Sequence, residues 1–348
     1  MFDLLWRENK LSLVLKKIVL SLFFLWGIVL FSSNVLADGN EFSIAPILPQ
    51  NQNPEVQSYF DLSVRPSSTQ ALQVSVKNNS SKAQKYNVSI NTANTNQNGI
   101  IDYSMDSFKK DSSLKISLKD CLTTMTPQIE IPAGKEKVVE FELKVPQLSF
   151  KGIVLGGITI EPLTETNAKG ITNVFTRTLA VQLSESNEKV TPNLVAGDVE
   201  IAQENQRNNV KLNLRNISPV IISKVTAQIS ILRKGESKPV LEQTREQLSF
   251  APNSNFKLMT EWESQFEPGD YRYIIKLKDT QGHEWTFKKN FIIASKKADK
   301  LNKTSVDKKV SHWMDYILYL LGALLIVSAL IIAFVFKKKD KTNIKNKI

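Results

Sequence analysis

The chain has 348 residues, 42% of them hydrophobic, with 45 Lys and Arg against 34 Asp and Glu. This fits two globular domains with tails and excludes a disordered chain. A single cysteine, Cys121, excludes an intramolecular disulfide and thiolate metal clusters, and two histidines, His283 and His312, leave little material for imidazole-bound metals. The net charge of +11 is uneven: residues 38–295 carry 29 basic against 28 acidic groups, and the excess sits at the two ends. A nucleic-acid binder would place that excess on a folded face meeting phosphate, so nucleic acid is set aside as a partner.

Residues 18–31 are apolar, preceded by Lys16 and Lys17 and followed by SSNVLA with Val35 and Ala37 at the −3 and −1 positions of a cleavage site. This is a secretory signal peptide over 1–37, cleaved after Ala37. No Cys follows it, which excludes a lipoprotein anchor.

Period-2 alternation then dominates residues 38–295. Leu72, Val74 and Val76 alternate with polar residues, and Tyr86, Val88 and Ile90 follow the turn NNSSK, which predicts a hairpin. Residues 91–103, NTANTNQNGIIDY, carry Asn94, Asn96 and Asn98 at alternate positions. The spacing invites a calcium loop, but Met105 stands where a bidentate Glu is needed, so a Gly-containing turn is the better account and no metal is expected. Residues 111–122 are the one weak helix candidate. Val139, Phe141, Leu143 and Val145 form another strand pattern, and 153–160 is nearly continuous apolar sequence whose Gly156 and Gly157 suggest a bulge or a close backbone approach.

After the polar break EKVTPNLV (188–195), about seven short strands at regular turn spacing predict an immunoglobulin-like β-sandwich. Pro268-Gly269-Asp270-Tyr271 reads as a tyrosine corner without the disulfide. Tyr271, Tyr273, Trp262 and Trp285 could form an aromatic binding face, but their alternation with aliphatic residues favours a core.

Residues 295–310 are polar and Lys-rich and read as a flexible stalk. ILYLLGALLIVSALIIAFVF (317–336) has no charge and the length of a bilayer span, with Trp313, Tyr316 and Tyr319 at its start and KKKDKTNIKNKI after it. No LPxTG-type motif precedes it. The expectation is a single-pass type I cell-membrane protein with its body facing the wall and its tail in the cytoplasm. The chain thus divides into signal peptide (1–37), first β-domain (38–187), second β-sandwich (188–295), stalk (296–316), transmembrane helix (317–336) and basic tail (337–348). The fold class is all-β, two tandem immunoglobulin-like sandwiches plus a C-terminal transmembrane helix.

Catalysis finds little support. A Ser-His-Asp triad would need His283, which lies in a turn with no GxSxG elbow nearby, and no segment supplies a glycosidase scaffold. The chain is therefore read as a non-enzyme without cofactors. Tyr59, Phe60, Asn94, Asn96 and Asn98 are the candidate ligand contacts, because amides bond sugar hydroxyls and aromatic rings pack on sugar rings.

EFSIAPILPQNQ (41–52), SYFDLSVRP (58–66), the 91–103 block and FKGIVLGGI (150–158) together resemble the WxL-interacting proteins of Gram-positive surfaces. The resemblance runs from Glu41 to the end of the chain. It implies a peptidoglycan-binding domain followed by a host-binding domain, and as partners peptidoglycan, secreted WxL-domain proteins and host extracellular matrix. The reading is a membrane-anchored surface scaffold. The alternatives are an extracytoplasmic chaperone working by β-strand exchange and a wall-acting glycosidase.

Overall fold

The protein is represented by a computed structural model that describes residues 41–105, 107–163, 174–306, 317, 319–324 and 326–327. The expected signal peptide, the basic tail and residues 328–336 of the apolar segment lie outside these. No helix among the described residues is long and apolar enough to cross a membrane.

The first half contains β1 (Phe42–Ile47), β2 (Phe60–Ser63), β3 (Thr69–Asn78), β4 (Gln84–Thr92), β5 (Asn94–Thr95), β6 (Ile101–Asp102), the one-turn helix α1 (Leu118–Cys121), β7 (Leu122–Thr124), β8 (Gln128–Ile131), β9 (Glu136–Lys144), β10 (Ile153–Pro162) and β11 (Arg177–Ser184). One sheet has the order β1-β3-β9-β7 and the other β2-β11-β10-β4-β8. Every pairing is antiparallel except β2 with β11. The alternating residues turn inward: Leu72, Val74 and Val76 meet Phe141, Ile158, Val181 and Tyr86 in one core. Each such side chain contributes about 1.5–3 kcal/mol when fully buried.

The second half contains β12 (Leu194–Glu204), β13 (Arg207–Asn216), β14 (Ile222–Arg233), β15 (Leu241–Phe250), β16 (Ser254–Glu261), β17 (Gly269–Lys278), β18 (Glu284–Ile293) and the helix α2 (Ser295–Thr304). Its sheets run β12-β13-β16 and β15-β14-β17-β18 around a separate core. Trp262, Tyr271 and Tyr273 belong to that core, while Trp285 is partly buried at its margin. The Tyr271 hydroxyl donates to the Glu267 carbonyl at 2.9 Å, which realises the tyrosine corner at the start of the sixth strand. The chain passes from one core to the other between Ser184 and Leu194.

Three expectations are corrected. The NNSSK turn does not close a hairpin: β3 and β4 lie in opposite sheets. The reason is Asn78, fully buried, whose side chain accepts from the Ser80 N–H and donates to the Lys82 and Ile131 carbonyls, turning the chain across the sandwich. Asn216 repeats the device in the second sandwich with Ser218, Val220 and Ala251.

Second, β10 carries no bulge; its pairings with β4 and β11 run in continuous register. Gly156 marks a close approach, since a Cβ there would sit 2.3 Å from the Asn91 carbonyl.

Third, the stalk does not begin at residue 296. Residues 295–304 form α2, with Ala298 fully buried and Leu301 packed on the second core. Asn302 secures the helix by accepting from the Phe266 N–H and donating to its carbonyl. The lysines occupy the solvent side, which is why the segment looks unstructured as sequence.

Candidate functional site

The Asn-rich segment joins the two sandwiches. The hairpin β5–β6 lays its tip along β15 and β16 of the second sandwich. Thr95 Oγ1 accepts from the Ala251 N–H and shares a hydrogen bond with Ser254 Oγ, both at 2.9 Å. The Gln97 carbonyl accepts from the Met259 N–H at 2.9 Å, and the Gly99 carbonyl from the Ser249 N–H at 2.8 Å. Arg245 donates to the Asn98 carbonyl at 2.5 Å. Ala93, Leu155 and Ala251 form a small apolar core under this joint, with Ile101, Tyr103 and Ile221 packed around it.

Two candidate contacts are therefore corrected. Asn94 is only 2% exposed within the joint and cannot meet a sugar polymer. Phe60 is fully buried in the first core, because alternation along β2 points Phe60 and Leu62 inward and Asp61 and Ser63 outward. Asn96 is partly buried, and its side-chain oxygen accepts the Asn98 and Ile100 N–H groups, so it shapes the turn. Asn98 remains exposed. Tyr59 is half-buried beside the first core; burial, and then the Asp61 charge, raise its phenol.

Next to the joint, the two sandwiches enclose an open cleft of about 940 Å³. Its floor is the outer face of the β2–β11–β10 sheet, presenting Asp61, Ser63, Gln182 and Ser184. The loop Asn51–Asn53, the connection through Asn187, the entry to β14 at Val220–Ser223 and the Asp279–His283 turn complete it.

A hydrogen-bonded frame holds the wall. Asn53 Nδ2 and Gln182 Nε2 each donate to Asp61 at 2.8 Å, one to each carboxylate oxygen. Gln52 Oε1 accepts the Asp61 N–H, and Gln52 Nε2 donates to the Val56 and Tyr59 carbonyls. At the far end Asp279 accepts from the Gln281 and His283 N–H groups and pairs with His283 Nδ1 at 2.7 Å. Burial raises the Asp279 carboxyl, but the His283 and Gln281 hydrogen bonds prevail and hold it below the ordinary range.

Ser63, Ser184, Asn187, Ser223 and Gln281 have no side-chain hydrogen-bond partner among the described residues. They leave hydroxyls and amides facing a polar cavity, suited to a ligand rich in hydroxyl and amide groups. Sequence reasoning missed these residues. The run Gln50–Asn53 between Pro49 and Pro54 was the one visible signal; the contribution of the second sandwich had none, since more than 160 residues separate it from the loop.

Comparison with known families decides the relationship. The peptidoglycan-binding domain of WxL-interacting proteins matches residues 42–162, and their host-binding domain matches 166–303. The chain belongs to the WxL-interacting protein family. Both matched units are binding domains of a cell-surface protein, and neither is of an enzymatic family. The host-binding match starts before β11, a strand that completes the first sandwich by pairing with β10 and β2. It ends inside α2, so the docked helix belongs to the family's second unit.

No curated protein matches the chain. Among solved structures it is similar to the YadV chaperone (10% identity, 72% of this chain and 100% of that one, TM-score 0.30). It is also similar to the CupB2 chaperone of Pseudomonas aeruginosa (12% identity, 65% and 96%, TM-score 0.27) and the E. coli chaperone DraB (11% identity, 73% and 98%, TM-score 0.29). No functional conclusion rests on these three.

Proposed function

We propose that this WxL-interacting protein is a single-pass scaffold that holds peptidoglycan in the cleft between its sandwiches and docks secreted WxL-domain proteins beside the wall. The observation that carries this is convergence. Asn51 and Gln52 from the first family segment, Asp61 and Ser63 from the second, and Gly152 and Ile153 from the fourth all line the one polar cleft. Peptidoglycan presents hydroxyls, acetamido groups and peptide amides, which the unpartnered hydroxyls and amides of the cleft can bond. The apolar segment 317–336 with its basic flank supports the anchor, and the apolar run 18–31 followed by Val35 and Ala37 supports an outward body.

The test uses the mature protein in detergent with purified sacculi and, separately, with secreted WxL-domain proteins. Ser223→Trp fills the cleft, and the pair Asn187→Ala, Gln281→Ala removes donors without touching either core. Saturable co-sedimentation that both variants weaken supports the assignment. Unchanged sedimentation of both variants would sink the cleft as the glycan site. Absence of any WxL-protein capture would remove the docking role.

A further inference from the structure

The outer face of the four-stranded sheet β15-β14-β17-β18 carries a second surface of different chemistry. The register sets its solvent-facing residues in rows: Thr226 beside Lys278 and Glu284; Gln228 beside Lys276 and Thr286; Ser230 beside Ile274 and Lys288; Leu232 beside Arg272 and Asn290. Three adjoining depressions of about 340–410 Å³ run along this face.

Its charges are not balanced. Glu284 is taken by Lys278 at 2.7 Å, and Asp270 by Lys234 at 3.5 Å. Glu242 on β15, opposite Ser230, is exposed on the same face and lines a depression with Lys276, but among the described residues no carboxylate pairs with Arg272, Lys276 or Lys288, and all three are exposed. Arg272 and Lys276 lie four residues apart on β17, about 13 Å, and Lys288 faces Ile274 between them, about 7–8 Å diagonally from each. Three cations against the Glu242 carboxylate leave this stretch of the face electropositive, a surface that attracts an anionic partner. Hydroxyls and amides of Thr226, Gln228, Ser230, Thr286 and Asn290 lie between the cations.

We infer that this face docks a sulfated polysaccharide of the host, a linear polyanion whose sulfates meet Arg272, Lys288 and Lys276 in turn and whose hydroxyls meet the Ser, Thr and Gln side chains. Charge complementarity selects a polyanion, and the dense hydroxyl and amide lining selects a glycan over an acidic peptide. The host source rests on the family's host-binding domain, within which the whole face lies.

The test passes the full-length protein in detergent over immobilised heparin, with dissociation constants measured at rising salt. The triple variant Arg272→Gln, Lys276→Gln, Lys288→Gln is compared with Lys77→Gln, Lys135→Gln, Lys137→Gln on the first sandwich. Expected are binding that weakens with salt, a loss of about tenfold or more in the first triple, and none in the second. The swap Arg272→Lys, Lys276→Arg, Lys288→Arg should keep binding. Equal binding by wild type and the first triple, or no retention of wild type, overturns the inference. So does capture by anionic phospholipid vesicles without retention on heparin, which would give the face to the membrane. Adhesion to host matrix is measured alongside, with and without heparinase. Adhesion insensitive to heparinase and to the triple leaves host binding standing and removes the sulfated glycan; no adhesion at all removes host binding itself.

Discussion

Arg215 of the second sandwich grips Asp111 of the first in a bidentate pair, Nε to Oδ2 at 2.5 Å and Nη2 to Oδ1 at 3.0 Å. The Asp111 side chain has no exposed surface, whereas that of Arg215 is 31% exposed. With the β5–β6 hairpin this pair ties the two sandwiches together.

Arg215→Ala would strand the buried carboxylate and cost about 2–4 kcal/mol, below the fully buried range because the guanidinium stays partly hydrated. The expected result is a single thermal transition in the native protein and two separated transitions in the variant, read by calorimetry. Burial raises the Asp111 carboxyl, but hydrogen bonds from Arg215 and Ser113 and the Arg215 charge leave it below its ordinary value. A lowered carboxyl stabilises above its unfolded value, about pH 4, and loses that contribution as the pH falls through the folded value. The native joint should therefore weaken below about pH 4, and Asp111→Asn should flatten that dependence.

Gly152→Ala should damage the same joint from the opposite side. Gly152 has φ +72°, and a Cβ there would stand 2.2 Å from the Pro219 carbonyl, the group that accepts the Ile153 N–H at 2.8 Å. A loss of at least about 1–3 kcal/mol is expected, together with weaker sacculus binding as the cleft opens. A variant with native stability and binding would show that the joint tolerates separation.

Tyr271→Phe removes one hydrogen bond, to the Glu267 carbonyl, from an otherwise unchanged ring that stacks with Phe291 and meets Trp262 edge-on. About 1 kcal/mol should be lost, visible as a lower denaturant midpoint with unchanged slope, and glycan binding in the remote cleft should not move.

A soluble fragment ending at Ser295 should melt below one ending at Val306. The shorter piece lacks Ala298 and Leu301 on the second core, and the Asn302 bonds to Phe266 and from Asn208. Comparable melting of both fragments would show that α2 is dispensable.

Much of this protein was legible in its sequence because the forces involved are local and periodic. Alternation at Leu72–Val76, Val139–Leu143 and Tyr271–Leu277 identified strands and their inward faces, since a half-buried strand must bury every second residue. The tyrosine corner was also visible, because Tyr271 and Glu267 are four residues apart. Segments at 41–52, 58–66 and 150–158 carried the family. Alternation could not assign strands to sheets, so β3 and β4 read as a hairpin until the buried Asn78 side chain sent the chain across the sandwich. Nor could it show that Asn94 would be buried beside an interface, because the adjoining Thr95 bonds to Ala251 and Ser254, more than 150 residues away. Tertiary packing alone brought Asn51, Gln182 and His283 to one cleft, and it turned a lysine-rich stretch into a docked helix through one alanine, one leucine and one asparagine. Patterns set by neighbouring residues are written along the chain, while contacts set by distant surfaces exist only once both surfaces have formed.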